Sequence, residues 1–468
     1  MSQQNETRTE SDFLGPVKLP SFAYWGAQTQ RAINNFTVSP LRISTPLLQA
    51  LALVKREAAH INRELDLIEK NIADAVIEAC DDILAGQLAD QFPVDVFQTG
   101  SGTSWNMNLN EVIANRACEI LGQPLGKKTP VHPNDHVNRG QSSNDVIPTA
   151  INISTRTKSA RLLDALSGLA ASLGKKEMEF SDVIKVGRTH LQDAVPVTLG
   201  QEFEGYRTQI EKGRERLAAI MPSLEELALG GTALGTGVNT HPEFGRRVIA
   251  RLATAAGFPF RPADSRFEAI AARDAQVALM GALNGLAVSL MKIANDLRLM
   301  ASGPRCGLGE ITLESLQPGS SIMPGKINPV IPEIMIQAAA YVMGKNASVT
   351  VAGLTGPLDL QIMQPLIAHE TLSALSVLEG AIRVFDERGV RGLNANRERC
   401  SELLEWSLAM ATPLSLKVGY DKASAIALRA FREKKTVRDV ALAEGIITEE
   451  EADVLFDPRR MLSPLDSE

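Results

Sequence analysis

Long stretches of the chain repeat apolar residues with the 3.6-residue period of an amphipathic helix. In residues 45–66, Leu, Ala, Val and Ile recur on one face, Thr45 is a suitable N-cap, and Pro46 occupies the favoured first helical position. The same pattern recurs in four further stretches, residues 156–179, 202–228, 333–348 and 366–386. The hydrophobic pattern therefore predicts a mainly α-helical protein.

The stretch from Phe267 to Met300 contains no proline and predicts one continuous helix. Its apolar and small residues occupy more than one face, which is the pattern of a helix buried among other helices. We therefore expect a long central helical bundle. Because so much apolar helix surface exceeds what one bundle usually buries, we also expect an oligomer whose core is shared between chains.

Both ends of the chain differ from this central part. The first dozen residues are polar, so we expect neither a signal peptide nor ordered structure there. After Gly392, shorter and more charged patterns predict a small helical C-terminal domain, in which Gly445 ends one helix and Thr448 caps the next. No window approaches 18 uninterrupted apolar residues, so no membrane-spanning helix is predicted.

Composition agrees with a helical core and narrows the class of function. Hydrophobic residues make up 44% of the 468 residues but aromatic residues only 4%, so aliphatic side chains must fill the core. The net charge of -7 argues against a nucleic-acid partner, which requires a basic face. The four cysteines lack C-x-x-C spacing, which is typical of reduced thiols in a cytosolic protein. They are Cys80, Cys118, Cys306 and Cys400.

Two polar segments precede predicted helices. Residues 99–111 place glycines and hydroxyls ahead of a helix, which is either an ordinary N-cap or an anion site built on free N–H groups. Residues 131–145 form a second donor-rich turn before an apolar run. Its His132 and His136 are four residues apart, a spacing too weak to predict a metal site.

Two further segments combine polar groups with cations. In G-R-T-H-L-Q-D-A, residues 187–194, His190 lies at a predicted helix start and is either a catalytic group or a satisfied polar residue. The loop at residues 319–333 contains three prolines, which exclude a regular helix, with Ser320 and Lys326 near its centre. We expect its glycines to act as hinges and its apolar residues to anchor the loop and exclude water.

The remaining motifs exclude several enzyme classes. Residues 230–240 are glycine-rich but lack the strand, the spacing and the acidic residue of a dinucleotide fold. The sequence has no nucleophile elbow, no zinc-binding H-E-x-x-H helix and no P-loop. A site rich in hydroxyls and amides, with a few cations, suits the binding of carboxylates and the stabilisation of an oxyanion.

The segment G-S-S-I-M-P-G-K-I-N-P resembles the signature loop of the fumarase/aspartase superfamily. The motifs G-S-G-T, H-P-N-D, Q-S-S-N-D and G-R-T-H-L-Q-D-A match in the same order, and the match extends from W-G-A-Q-T-Q-R to G-Y-D-K-A, nearly the whole chain. Within the superfamily the chain is most similar to the class II fumarase group. The resemblance implies a mainly α, three-domain fold whose long central helical bundle forms a 20-helix tetramer core. It places the domains at residues 1–141, 142–395 and 396–468.

The same resemblance implies a metal-independent cytoplasmic lyase that needs no cofactor and interconverts fumarate and (S)-malate. Its partners would be the small dicarboxylate substrate and identical subunits of a homotetramer, with each active site shared among three subunits, and neither nucleic acid nor membrane. Ser320 matches the catalytic base, with Lys326 as the positive charge that favours its alkoxide. His190 would act through a water at the other carbon, and Glu333 would set the tautomer of this histidine.

The resemblance also implies the binding residues. Positions that match dicarboxylate-binding residues are Ser101, Thr103, Ser142, Ser143, Asn144, Thr189, Lys326 and Asn328. Positions that match a second dicarboxylate site near the entrance are His132, Asn134 and Asp135.

Two alternatives remain open at the level of sequence. The first is aspartate ammonia-lyase, which shares the scaffold and the serine base; the motif P-N-D-H is more similar to that group. The second is a non-catalytic scaffold, which would not need intact Ser320 and His190. Two departures from the family pattern bear on this choice. Trp105 replaces a small residue, and would either be buried at a helix contact or narrow the pocket. Asp359 and Gln361 replace the usual Glu and Asn in residues 357–365.

Overall fold

The structure, a computed structural model, describes residues 6–464. Within these residues the fold is mainly α-helical. The helices are α1 (Ala27–Asn35), α2 (Thr45–Glu64), α3 (Lys70–Leu84), α4 (Thr103–Ile120), α5 (Ser143–Glu179), α6 (Leu199–Ala218), α7 (Met221–Leu224), α8 (Phe244–Ala256), α9 (Arg266–Ala271), α10 (Asp274–Met300), α11 (Val330–Gly353), α12 (Gln364–Val384), α13 (Arg397–Trp406), α14 (Ala411–Val418), α15 (Tyr420–Glu433), α16 (Val437–Ala443) and α17 (Glu449–Leu455).

The strands of the described residues form small two-stranded sheets. Three pairs are antiparallel: β1 (Thr7–Asp12) with β2 (Gly15–Pro20), β3 (Ile184–Thr189) with β4 (Gln192–Thr198), and β7 (Ile311–Thr312) with β8 (Asn394–Ala395). One pair is parallel: β5 (Glu226–Leu227) with β6 (Arg261–Pro262).

The chain divides into two compact units, each assembled from separate parts of the sequence. The first unit contains residues 1–163, 215–285 and 341–379, and the second contains residues 164–214, 286–340 and 380–468. The helices α5, α6, α10, α11 and α12 contribute residues to both units.

The core of the first unit is built from aliphatic side chains of α2, α3, α4 and α8. Trp105 belongs to this core, with 2% of its surface exposed, and its indole N–H donates to the Val94 carbonyl at 3.4 Å. Of the two alternatives for Trp105, burial at a helix contact is therefore the one found. Gln361 is also fully buried, and its amide donates to the carbonyl of Thr355 at 2.7 Å.

The second unit includes a separate small core formed by the helices of the C-terminal segment. The predicted helix end at Gly445 and the predicted N-cap at Thr448 are both confirmed there. Gly445 takes the left-handed conformation (φ 64°) just beyond α16, and Thr448 caps α17 in a capping box with Glu451.

The prediction of one continuous helix from Phe267 to Met300 is wrong. The chain breaks at Ala272, which is extended (φ −122°, ψ 164°), and so separates α9 from α10. Carbonyls of α9 take donors from elsewhere: Ile270 O accepts from the Gln361 backbone N–H at 3.4 Å, and Ala269 O accepts from the buried Arg273 side chain. One long-range contact, from Gln361, and one local contact, from the Arg273 side chain, thus replace bonds that a continuing helix would make.

Three smaller expectations also change. Residues 202–228 divide into α6, α7 and β5, because Pro222 cannot continue a helix and lies in the first turn of a new one. Residue Ser44, not Thr45, is the residue that precedes α2. Part of the N-terminal dozen, residues 7–12, is the strand β1, while residues 1–5 lie outside the described part.

Helix α10 is long and apolar enough to cross a membrane by length and composition. The core helix of a soluble protein meets the same criterion, and 44% of the most apolar window of α10 is buried within the chain. A single helix of this kind is weak support for a membrane span, and it is the same segment whose pattern predicts a bundle core.

Candidate active site

The first polar segment forms the entrance to α4. Gly102 precedes the helix in the left-handed conformation (φ 75°), which allows the chain to turn sharply into the first helical residue, Thr103. The hydroxyls of Ser101 and Thr103 are hydrogen-bonded at 2.8 Å. Gly100 also has no room for a side chain, since an added Cβ would lie 1.8 Å from the Ile362 carbonyl oxygen. The segment therefore presents two coupled hydroxyls at a helix N-terminus.

The second polar segment ends at the start of α5, which begins at Ser143. Asp145 is fully buried and accepts from the Ser142 N–H at 2.9 Å, from Gly230 N–H at 3.0 Å and from Thr232 N–H at 2.9 Å. Burial raises the pKa of Asp145 to about 6, against the effect of these donors, which lower it. Asp145 thus connects Ser142, just before α5, to the glycine-rich segment at residues 230–240 through hydrogen bonds.

The same glycine-rich segment also forms a hydrogen bond with Asn144. The Asn144 side-chain amide donates to the Ala233 carbonyl at 2.8 Å, and its backbone N–H donates to the Ser142 hydroxyl at 3.2 Å. The sequence did not assign any role to residues 230–240 or to Asp145. Their contacts join positions more than 80 residues apart, so no local pattern could have indicated them.

His132 is the N-cap residue of a short π-helix, Pro133–Val137. Its Nδ1 accepts from the backbone N–H groups of Asn134 and Asp135, both at 3.2 Å, and lies 3.3 Å from the Asp135 carboxylate. The His132 backbone N–H in turn donates to His136 Nδ1 at 2.8 Å. With Nδ1 used as an acceptor, the neutral ring of His132 carries its proton on Nε2, which can donate to an anion.

His190 lies at the tip of the β3–β4 hairpin and not at a helix start, so that part of the prediction is wrong. Thr189 pairs with Gln192 across a two-residue turn in which His190 (φ 56°) and Leu191 (φ 59°) are both left-handed. This is the arrangement of a type I′ turn, which normally prefers Asn and Gly. Thr189 and His190 are exposed, and Leu191 is 73% exposed. The turn therefore leaves His190 exposed at the tip of the hairpin.

Ser320 lies in the proline-rich loop, where its hydroxyl oxygen accepts two backbone N–H groups. Ile322 N–H donates to Ser320 Oγ at 3.2 Å and Met323 N–H donates to it at 3.0 Å. A turn with Pro324 and the left-handed Gly325 (φ 78°) then reverses the chain. Two donors aimed at one hydroxyl oxygen favour the negatively charged form of that oxygen.

Lys326 and Asn328 close this loop. The Lys326 ammonium donates to Asn328 Oδ1 at 2.5 Å, Asn328 Nδ2 donates to the Gly319 carbonyl at 2.7 Å, and Gly319 N–H donates to the Lys326 carbonyl at 2.8 Å. A Cβ on Gly319 would lie 2.7 Å from that Lys326 carbonyl oxygen. Gly319 is therefore required for close approach within the loop.

Three apolar residues near the centre of the loop do not anchor it within the chain, whereas Ile331 at its end is buried. Ile322 is 84% exposed, Met323 50% and Ile327 47%. Such exposure of three apolar side chains on one loop is typical of a surface that another molecule covers.

Glu333 lies in the first turn of α11, where its N–H donates to the Pro329 carbonyl at 3.3 Å. Within residues 6–464 of one chain, no hydrogen bond or ion pair joins this carboxylate to the His190 ring. The predicted pairing of these two residues is not formed by a single chain.

The candidate residues thus fall into two sets. The first unit carries the two helix entrances and the His132 turn, and the second carries the hairpin tip and the proline-rich loop. The first set is Ser101, Thr103, His132, Asn134, Asp135, Ser142, Ser143 and Asn144; the second is Thr189, His190, Ser320, Lys326, Asn328 and Glu333. Among the described residues, no group of three or more His, Cys, Asp or Glu side chains is arranged to hold a metal ion.

Comparison with known proteins gives consistent matches along the chain. The model of the family described as "Lyase" matches residues 15–344, and that described as "Fumarase C C-terminus" matches residues 410–463. A protein from Nitrosomonas europaea named fumarate hydratase class II is 50% identical over 458 residues, covering 98% of this chain and 99% of its own. One of the same name from Halobacterium salinarum is 52% identical, covering 97% of each.

Solved structures agree with these sequence matches. A recombinant class II fumarase from Schistosoma mansoni superposes with a TM-score of 0.94 at 37% identity, covering 98% of this chain and 100% of that one. A structure described as fumarate lyase:delta crystallin from Brucella melitensis bound to cobalt superposes with a TM-score of 0.93 at 45% identity, with the same coverage. The fold is thus the mainly α fumarase/aspartase fold, and the chain belongs to the class II fumarate hydratase family of lyases.

Proposed function

We propose that this protein catalyses the reversible hydration of fumarate to (S)-malate. Anti elimination of water from malate would proceed through an aci-carboxylate intermediate, with Ser320 as the base that removes the C3 proton. The observation that carries this proposal is the pair of N–H groups on Ser320 Oγ, at 3.0 and 3.2 Å. A serine is a poor base at its ordinary pKa, and two fixed donors favour the alkoxide that the reaction requires.

The positive charge beside this serine supports the same role. Lys326 lies on the loop that carries Ser320, and its ammonium is oriented by Asn328, which is itself held by the Gly319 carbonyl. Removing the C3 proton places negative charge on the neighbouring carboxylate. Lys326 and Asn328 would bind that carboxylate, and donors aimed at charge that develops in the transition state are the ones that raise kcat.

Hydroxyl and amide donors of the first unit would bind the substrate carboxylates. The helix entrances of α4 and α5 present N–H groups and hydroxyls at the positive end of a helix dipole, which suits an anion. The proposed donors are Ser101, Thr103, Ser142, Ser143 and Asn144, together with Thr189 of the hairpin. The turn at His132, Asn134 and Asp135 would form a second dicarboxylate site.

His190 would assist at the carbon that loses the hydroxyl group. Hydroxide is a poor leaving group, so its departure needs a general acid, and His190 would supply the proton through a water. Glu333 would hold the tautomer of the ring. Since one chain does not form this pair, we propose that it forms between subunits.

We further propose a homotetramer in which three subunits contribute to each site. The exposed apolar side chains on the Ser320 loop and the all-round apolar α10 support an assembly that covers them. In this proposal the domains are residues 1–141, 142–395 and 396–468, and the central domain supplies a 20-helix core. Catalysis is proposed to need no metal, and the enzyme to act in the cytoplasm.

The proposal is tested with purified native protein and either malate or fumarate. The ultraviolet absorbance of fumarate should rise with malate and fall when fumarate is supplied, in the presence of a chelator and without added metal. Release of fumarate from aspartate but not from malate would identify an ammonia-lyase instead. Failure with all three substrates would refute both readings and leave a non-catalytic scaffold.

Ser320→Ala tests the base directly. The variant loses the hydroxyl but keeps the loop, whose remaining hydrogen bonds join Gly319, Lys326 and Asn328. We expect turnover to fall by a factor of about 10³ or more, with the assembly retained on size-exclusion chromatography. Ser321→Ala, at the exposed neighbouring serine, is the matched control and should remain active. Turnover by Ser320→Ala close to that of the native protein would refute the assignment.

A further inference from the structure

Lys55 is a fully buried lysine in α2 that lacks a carboxylate partner within ion-pair distance among the described residues. Its ammonium donates to Asn138 Oδ1 at 2.9 Å and to Gln141 Oε1 at 3.0 Å. A charge buried in this way is costly and is normally paired, so its retention here calls for a function.

A relay of asparagine amides runs from Lys55 to the start of α5. Asn138 Oδ1, which accepts from Lys55, also accepts from Asn106 Nδ2 and Asn110 Nδ2, both at 3.2 Å. Asn106 Nδ2 donates in addition to Ser143 Oγ at 2.9 Å. The buried carbonyl oxygens of Asn106 and Asn110 have no hydrogen-bond partner.

The directions of the hydrogen bonds in this relay follow from Lys55 and from the Gln141 backbone carbonyl, which accepts from Asn138 Nδ2 at 3.1 Å. A lysine ammonium only donates, so Asn138 must turn its carbonyl oxygen toward Lys55. That oxygen can receive only donors, so Asn106 must present its NH₂ group, although this orientation leaves Asn106 Oδ1 without a partner. Ser143 Oγ is then the acceptor of the last bond, and the Ser143 hydroxyl hydrogen remains free to donate elsewhere.

We propose that Lys55 is a positioning residue that makes the Ser143 hydroxyl a donor to a substrate carboxylate. The proposal rests on the proposed function, in which the start of α5 binds a dicarboxylate. Without Lys55 the Gln141 carbonyl alone opposes reversal of the Asn138 amide. Reversal of Asn138 and Asn106 would give the unpartnered Asn106 Oδ1 a donor, and it would then accept the Ser143 proton. A hydroxyl that already donates to an amide cannot donate to a carboxylate without losing that bond.

Charged groups near Lys55 add an electrostatic component. Asp145 of α5 and Cys80 of α3 are the titratable groups that act on it. Burial lowers the pKa of Lys55 to about 7, which Asp145 opposes, and burial also raises the pKa of the Cys80 thiol, which is therefore neutral. The attraction of Lys55 for an anion therefore weakens as pH rises through this lowered pKa.

The closing experiment measures binding of succinate, a saturated four-carbon dicarboxylate that cannot undergo the reaction. Isothermal calorimetry on the assembled protein at pH 6.5 compares native protein with Lys55→Met, which retains the volume of the side chain. We expect Kd to rise about tenfold or more, as for one hydrogen bond to a charged group. KM for malate should rise by a similar factor, with a smaller change in kcat.

Lys176→Met is the matched control, because Lys176 is another buried lysine but donates to Leu393 O and Glu179 in the second unit. It should leave the Kd of succinate unchanged. Equal binding by Lys55→Met and native protein overturns the role of Lys55 while leaving the proposed function intact. Native protein that neither binds succinate nor converts malate overturns both.

A double-mutant cycle with Ser143→Ala separates a relay from a general effect of charge. If Lys55 acts through Ser143, Lys55→Met should raise Kd much less in the Ser143→Ala background than in native protein. Additive effects would overturn the relay. If Lys55→Met does not assemble, Asn138→Leu interrupts the same relay and enters the same cycle, with the same two outcomes.

Discussion

Glu310→Gln is expected to destabilise the second unit and to impair the hairpin that carries His190. Glu310 is fully buried, with one carboxylate oxygen 2.8 Å from the Arg188 guanidinium and the other 3.3 Å from the Lys185 ammonium. Lys185 also donates to Glu202 at 2.9 Å. Both cations lie on β3, so Glu310 holds the strand that leads directly to Thr189 and His190.

The size of the effect follows from the donors around this carboxylate. A glutamine has one acceptor oxygen, so its NH₂ group must face either Arg188 or Lys185, neither of which can accept a hydrogen bond. The substitution also leaves one excess positive charge in a buried cluster. Breaking a buried ion pair on one side typically costs about 3–5 kcal/mol, and we expect about 3 kcal/mol because the amide keeps one acceptor.

Urea unfolding followed by circular dichroism, at one fixed protein concentration, measures this cost. Glu402→Gln is the matched control, since Glu402 is exposed and pairs with Arg399 at 2.7 Å on the surface of the same unit. It should change the free energy of unfolding by less than about 0.5 kcal/mol. If Glu310→Gln costs no more than Glu402→Gln, the buried cluster does not stabilise the fold and the reasoning fails.

Activity gives a second readout of the same variant. If the cluster positions the hairpin, kcat should fall by about tenfold in conditions where the variant is fully folded, because a small misplacement of a general acid slows proton transfer. An unchanged kcat in folded Glu310→Gln would restrict the role of Glu310 to stability.

Two further predictions concern pH and loop geometry. Asp95 is 2% exposed, and its carboxylate accepts hydrogen bonds from Val38 N–H, Ser39 Oγ and Phe97 N–H. Burial alone would raise the pKa of Asp95, but these donors outweigh burial, so the pKa lies below 3.8. Its contribution to stability is therefore present above about pH 4 and lost as pH falls through the lower folded-state pKa, so Asp95→Asn should flatten acid unfolding. Parallel acid-unfolding curves for the variant and the native protein would contradict this. Gly319→Ala should lower kcat by at least about tenfold by opening the Ser320 loop, since its Cβ would lie 2.7 Å from the facing carbonyl oxygen; native kcat would show that the loop tolerates opening.

Features that depend on neighbours within a few residues could be predicted from the sequence. The helices α2, α11 and α12, the left-handed Gly445 and the capping of α17 by Thr448 follow from periodicity and from local hydrogen bonds. The proline-rich loop around Ser320 could likewise be recognised as a constrained loop, because its prolines exclude helix wherever it lies in the fold. Its match to the superfamily, rather than its composition, supplied the proposed chemistry.

Contacts between distant parts of the chain decided the rest. At the break at Ala272, the backbone N–H of the distant Gln361 occupies the Ile270 carbonyl, which a continuing helix would have used itself. The turn at His190 is a hairpin because β3 and β4 pair, although left-handed His and Leu carry no local signal for it. A sequence pattern reports preferences over one or two turns, whereas these conformations are set by partners far along the chain.

The same distinction applies to the candidate site. The sequence alone indicated the candidate side chains of the site, through motifs that each span a few residues. Only the tertiary structure showed that Asp145 binds Gly230 and Thr232, and that buried Lys55 reaches Ser143 through two asparagines. The direction of each hydrogen bond in a buried relay depends on all the groups of the relay. It is therefore defined only after folding has brought these groups together.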